Sequence, residues 1–198
     1  MKMIFKPSES ALILIDLQNG IVEKKTFPIS SNKVIKNAIS LVDAFRAADS
    51  QVIYVTIENS SDYGDVLNPY LDTPSETLFE KPNDWSSLVS ELNIQPNDLR
   101  IIKKQWGAFY GTDLDLQLRR RGIKNIILGG LMTNIGVEST ARDAYERGYN
   151  QVFVTDAMGS NNLESHSNTL KYIFSRIGIL RTTQEVIQSI KNQGDLSS

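Results

Sequence analysis

The stretch 125-NIILGGLMTNIGVESTARDAYERGYNQVFVTD-156 decides the fold. An apolar run, Asn125 to Gly130, is followed by Val137, Ala141, Ala144 and Tyr145 at helical spacing. Past Gly148 a second apolar run follows, Gln151 to Asp156. Short runs rich in Ile, Val and Phe read as strands buried on both faces, and the spacing between them reads as an amphipathic helix closed by a C-terminal glycine. A strand, a helix and a strand in this order form a βαβ unit with parallel strands.

The same alternation extends outward in both directions. Residues 11–16 (ALILID), 51–57 (QVIYVTI), 100–104 (RIIKK) and, more weakly, 178–182 (GILRT) read as further strands. Val34, Ala38, Leu41, Val42, Phe45 and Ala48 mark a helix between the first two. Thr112 is placed to cap a helix that carries Asp113 and Asp115 and stops before Gly122. Leu170, Ile173, Phe174 and Ile177 mark another, ending at Gly178, and Thr182-x-x-Glu185 has the capping-box pattern for a last one. Strands alternating with helices throughout predict a parallel sheet covered on both faces, in one domain over residues 1–198. The long irregular segment 58–98 holds four of the six prolines, with a short helix predicted from Trp85 to Leu92. An excursion of that length in an α/β domain is usually functional, often a lid over a substrate. The tail 192–198 is expected to fray.

Composition narrows the chemistry. A net charge of -2 gives no electrostatic reason to expect nucleic acid or an anionic membrane as partner. Arg119, Arg120 and Arg121 read as the solvated end of a helix, where cations suit the dipole. The chain has no cysteine, which removes disulfides, thiolate nucleophiles and thiolate metal sites and fits a cytoplasmic location. The opening residues MKMIFKPSES hold no long apolar run, so neither a signal peptide nor a membrane span is expected there.

Ligands of open parallel sheets bind beyond the carboxyl ends of the strands. Asp16 closes the first apolar run, Lys103 and Lys104 close the third, and Gly129-Gly130 closes the fourth. Each alone has an ordinary explanation: a turn aspartate, two solvated lysines, a tight strand-to-helix turn.

Together, LILIDLQNG (12–20), IIKKQWGAFYGTDL (101–114) and GGLMTNIGVESTARDAYERGY (129–149) resemble the isochorismatase-like hydrolase superfamily, and VTDAMGSNNLESHSNTLKY (154–172) fits its fifth strand and following helix. The resemblance spans nearly the whole chain. It implies a three-layer α/β/α fold with a six-stranded, mostly parallel Rossmann-like sheet in the order 3-2-1-4-5-6. It also implies a cis peptide at Leu131–Met132, no cofactor, and a homodimer or homotetramer, for which the helix from Ile135 to Arg147 is the candidate face. The family's usual triad is Asp, Lys and Cys. Asp16 matches the aspartate, and Lys103, six residues before Phe109, matches the lysine, which leaves Lys104 as an exposed neighbour. The cysteine position falls on Gly136.

That departure rules out a thiol amidase. Isochorismatases proper carry glycine at this position and cleave a vinyl ether with an aspartate as acid and a water, without a covalent nucleophile. The resemblance therefore implies hydrolysis of a small carboxylate-bearing substrate by Asp16 and Lys103. Gln18, Phe109, Leu131 and Met132 would contact the substrate, and the N–H groups of Gly136 and Met132 would serve as an oxyanion-type donor pair. A non-catalytic relative that keeps the pocket for binding is the alternative. Ser139 and Thr140, one turn further on, are weak candidates for a replacement nucleophile. Zinc-binding relatives use one Asp and two His, and this chain has a single histidine, His166, read as a partly buried helix residue.

Overall fold

The computed structural model describes residues 6–73 and 81–194. Of the expected lid, residues 74–80, Pro74 among them, lie outside this set, as do residues 195–198 of the tail.

Six strands form one parallel sheet: β1 (Ser10–Ile15), β2 (Gln51–Ile57), β3 (Leu99–Lys103), β4 (Asn125–Leu131), β5 (Asn150–Gly159) and β6 (Ile179–Arg181). Their order is β3-β2-β1-β4-β5-β6, so the chain reverses its direction of winding between β1 and β4. Such a switch point opens a crevice at the carboxyl ends of the strands. Gly129 and Gly130 lie within β4, as the apolar run predicts, and the strand runs one residue further, to Leu131.

Alternation along β1 shows how the three layers form. Leu12 and Leu14 join Val34, Ala38, Leu41 and Phe45 of α2 (Ser31–Ala47), with Val186 and Ile190 of α7 (Thr183–Gly194). Ala11, Ile13 and Ile15 face the opposite side, against Leu114 and Leu118 of α3 (Leu114–Arg120) and Ala141 and Ala144 of α4 (Glu138–Glu146). The same side receives Phe174, at the end of the segment that runs from α5 (Leu163–Asn168) into α6 (Ser175–Ile177). A short helix, α1 (Asn19–Val22), follows the first strand.

The terminal signals read from sequence act as expected. The Thr182 N–H donates to Glu185 Oε2 (2.7 Å), and the Glu185 N–H returns a bond to Thr182 Oγ1 (3.3 Å). Thr112 Oγ1 accepts the N–H of Leu114 at the start of α3 (3.2 Å). Tyr145 departs from expectation: it is exposed, and the outward side of α4 carries Arg142, Glu146 and Arg147 around it. That helix therefore presents a charged face, not the apolar one expected of an assembly surface. Among the described residues no helix is long and apolar enough to cross a membrane.

The helix predicted from Trp85 to Leu92 is replaced by a turn, an extended piece and a single 3₁₀ turn at Ser90–Leu92. The residues after β1 compete for its backbone. Leu88 bridges Gln18, the Asn19 N–H donates to Ser87 O (2.9 Å), and the Val89 N–H donates to Leu17 O (3.1 Å). These two bonds, which make the Gln18–Leu88 bridge, hold this segment extended despite its local helical spacing.

Candidate active site

The fully buried β1 delivers the chain to Asp16, whose N–H still donates to Val55 O of β2 (2.8 Å). There the backbone turns to a positive φ of 53°, a conformation that aspartate tolerates better than most residues. Ile57 of β2 pairs with Lys103, the last residue of β3. Lys103 is 1% exposed, and its Nζ donates to Asp16 Oδ2 (2.8 Å) and to Gln105 O (3.1 Å). The neighbouring Lys104 points outward and pairs with Asp65 (2.8 Å). The assignment of Lys103 as the inward lysine thus agrees with the geometry.

Lys103 favours the ionised form of Asp16, as a nearby cation should, but burial acts against it more strongly. Burial pushes the Asp16 carboxyl up from 3.8 to about 6, and the charge and hydrogen bond of Lys103 only partly oppose it. The second carboxyl oxygen, Oδ1, is buried and has no hydrogen-bond partner among the described residues. A carboxyl group with one oxygen held and the other free is a poised proton donor or acceptor.

Gly136 closes the site from the β4 side. It lies in a π-helical turn, Thr133–Val137, that leads into α4. A Cβ placed on Gly136 would stand 3.0 Å from Asp16 Oδ2, 3.0 Å from Ile15 Cγ2 and 3.4 Å from Leu131 O. The position expected for the nucleophile therefore faces the carboxyl directly. The space there is tighter than a side chain needs, so glycine fits with the least displacement.

A set of buried hydrogen bonds fixes this turn. Thr140 Oγ1 donates to Gly136 O (2.7 Å) and accepts the N–H of Ala108 (3.1 Å), so it ties the turn to the loop that follows Lys103. With its hydroxyl engaged in both roles, Thr140 is a strut and offers no free nucleophile. Thr133 Oγ1 shares a 2.9 Å bond with Nδ1 of His166, which burial holds below the usual histidine range. Thr169, at the start of a second π-helical turn (Thr169–Phe174), donates to Glu138 Oε2 (2.6 Å). His166 is a structural residue of α5, more deeply buried than the sequence reading expected. Sequence spacing gave no sign of either bond.

The four expected substrate contacts fare differently. Gln18 is fully buried, and its amide is spent on backbone: Nε2 donates to Ile57 O (3.1 Å) and Trp85 O (3.3 Å), and Oε1 accepts the N–H of Ile57 (2.8 Å). In place of a substrate contact it is a clamp between two strand ends and the irregular segment. Phe109 sits in the core of the α3–α4 side, its ring 5.9 Å from that of Tyr149. Leu131 is fully buried in the core of the opposite side, and Met132 joins it there at 8% exposure, with the peptide between them cis. None of the four presents an uncommitted polar side chain. A cavity of about 460 Å³ between Arg46, Asp49, Gln51, Asn97 and Asp98 lies at the other end of the sheet, where β2 begins, and Arg46 is already paired with Asp98.

The isochorismatase domain model matches residues 10–185. The chain belongs to the isochorismatase family. It is 49% identical over 185 residues to the isochorismatase family protein YwoC of Bacillus subtilis (strain 168), covering 92% of this chain and 95% of that one. Identity to the ureidoacrylate amidohydrolase RutB of Agrobacterium fabrum (strain C58 / ATCC 33970) is 34% over 174 residues, 77% of this chain and 76% of the relative. The structure of an isochorismatase family protein from Burkholderia thailandensis superposes with a TM-score of 0.90 at 42% identity, over 93% of this chain and 96% of that one. The family, its hydrolase character and its sheet order thus agree with the resemblance read from the motifs. This member has no cysteine and carries glycine opposite the buried carboxyl.

Proposed function

We propose that the protein hydrolyses a small enol-ether carboxylate, with Asp16 as the general acid. The observation that carries this reading is the Asp16 carboxyl: buried, raised to about 6, bonded to Lys103 through Oδ2, free at Oδ1, and faced by a glycine where relatives could hold a thiol.

The steps balance without a covalent intermediate. Protonated Asp16 gives its proton to the terminal vinyl carbon, and the double-bond electrons form the new C–H bond. The ether carbon becomes oxocarbenium-like. Water adds to it and gives its own proton back to Asp16. The hemiketal then expels the alcohol as its hydroxyl proton moves to the leaving oxygen, and a 2-oxo acid remains. Lys103 stabilises the aspartate while it is ionised between the two proton transfers. The N–H groups of Met132 and Gly136 are assigned to the substrate oxygens. RutB relatives act, by name, on ureidoacrylate, itself a small unsaturated carboxylate, which supports an anionic substrate here.

The test uses 2-methoxyacrylate, a minimal substrate of this class, with release of pyruvate and methanol followed by NMR. Turnover by the wild type and its loss in Asp16→Asn are expected. Absence of wild-type turnover across a panel of enol-ether carboxylates would move the assignment to a binding protein.

A further inference from the structure

The Gln18 amide is spent on backbone and the side chains of Phe109, Leu131 and Met132 are apolar, so none of these four side chains pairs with a substrate carboxylate. We propose that Lys81, on the segment that crosses the carboxyl ends of β1 and β2, binds that carboxylate. The inference rests on the reading above only for the position of the substrate beside Asp16.

The placement follows from three fixed points. Asn59 lies two residues beyond Ile57, which pairs with Lys103 and is clamped by Gln18. Trp85 is tied to the residues just after Asp16: its carbonyl accepts from Gln18 Nε2 (3.3 Å) and from the Gly20 N–H (3.0 Å). Its indole packs closely against Gly20, where a Cβ would stand 1.9 Å from Trp85 Cδ1, so only glycine admits the ring in this position. Lys81 Nζ is held between these two points, 3.0 Å from Asn59 Oδ1 and 3.8 Å from the centre of the Trp85 ring. The ammonium is therefore set at the same end of the sheet as Asp16 and Lys103.

The chemistry of the group points to an anion. Lys81 is half-buried, and among the described residues no carboxylate lies within ion-pair distance of it. Asp65 is the acidic group whose charge reaches it, but Asp65 is already engaged by Lys104 Nζ (2.8 Å) and by the Ser60 N–H (2.9 Å). Partial burial lowers the affinity of Lys81 for its proton, which is the cost of removing a cation from water without a counter-ion. A substrate carboxylate supplies that counter-ion and a charge-assisted hydrogen bond. The Trp85 indole takes the ammonium on one side by a cation–π contact, and Asn59 engages one of its three hydrogens.

Binding is measured by calorimetry with 2-methoxyacrylate and, separately, with its uncharged methyl ester, on the full chain. Wild type is expected to prefer the acid, and Lys81→Gln to weaken the acid by about tenfold while leaving the ester unchanged. Lys81→Arg, which keeps the charge, is expected to restore most of the preference. Asp16→Asn should retain the preference while turnover is lost, which separates this claim from the assignment of the general acid. If wild type binds neither form, or both alike, or if Lys81→Gln keeps the preference, Lys81 is not the carboxylate site, whatever the fate of Asp16.

Discussion

The two walls around Asp16 are built differently. On one side stand Lys103, the Gly136 turn and the helices behind it, joined by buried bonds: Lys103 to Asp16, Thr140 to Gly136 and Ala108, and Thr133 to His166. On the other side the segments 58–73 and 81–87 carry half-exposed polar contacts, such as Lys104 to Asp65, Asn19 Nδ2 to Asp84 (3.0 Å) and Lys81 to Asn59, outside the anchor that buried Gln18 makes to Trp85 O. Buried bonds in a low-dielectric setting are costly to break, whereas exposed ones contribute little to stability. The first wall therefore sets the geometry of the chemistry, and the second is free to select the substrate. Mutations in the first should lower stability and kcat, and mutations in the second should change binding alone.

The largest effect is expected from Lys103→Met. It leaves Asp16 buried without its cation, and removal of one partner of a buried pair costs about 3–5 kcal/mol. Thermal or urea unfolding measures this. The sign of the accompanying pKa change is fixed by the causes at hand. Lys103 lowers the pKa and burial raises it, so its loss moves the carboxyl further above 6, and the acid form persists to higher pH. A variant as stable as wild type would show that the pair is not the keystone of this wall.

Thr140→Val should cost less, about 1–3 kcal/mol, because it strands the Ala108 N–H and the Gly136 carbonyl without their shared partner. Its kcat should fall with KM nearly unchanged, since the Gly136 turn moves relative to Asp16. An equal rise in KM would join the two walls into one functional unit.

Gly136→Ala is expected to cost about 1–3 kcal/mol by overpacking, because the new methyl meets Asp16 Oδ2 and Ile15 at 3.0 Å. The kcat should drop as the carboxyl is displaced. Gly136→Cys places a thiol in the same tight position, so any amidase activity gained should be weak.

Gly20→Ala is the smallest in stability and the sharpest in meaning. The methyl expels the Trp85 ring, while the core beneath is untouched. Unfolding free energy should change by less than about 1 kcal/mol, whereas affinity for a carboxylate ligand should weaken as Lys81 loses its stacking partner. A large loss of stability would show that the irregular segment is part of the folding core.

The same contrast explains what the sequence revealed. The first wall lies on regular elements, whose apolar periodicity placed β1, β3 and β4 and hence Asp16 and the Lys103–Lys104 pair at strand ends, while the choice of Lys103 and the place of Gly136 came from the resemblance to the family's motifs. The capping box at Thr182 and Glu185 was equally legible because it is local. Three things were not. Trp85 to Leu92 has helical spacing, but its backbone bonds go to Leu17 and Asn19, which lie far away in sequence. Gln18 and Phe109 look like substrate contacts until tertiary packing spends the amide on Ile57 and Trp85 and buries the ring against Tyr149. The charge state of Asp16 depends on the depth of burial outweighing a neighbouring cation, and no motif records depth.

The pH dependence of kcat/KM for 2-methoxyacrylate, corrected for the uncatalysed reaction, tests the general-acid claim most directly. Asp16 must carry the proton to donate it. A plateau is therefore expected below pH 6 and a fall of about tenfold per pH unit above it, with the limb set by Asp16 near 6 and abolished along with turnover in Asp16→Asn. Activity that rises with pH through this region, or that survives in Asp16→Asn, would contradict that claim.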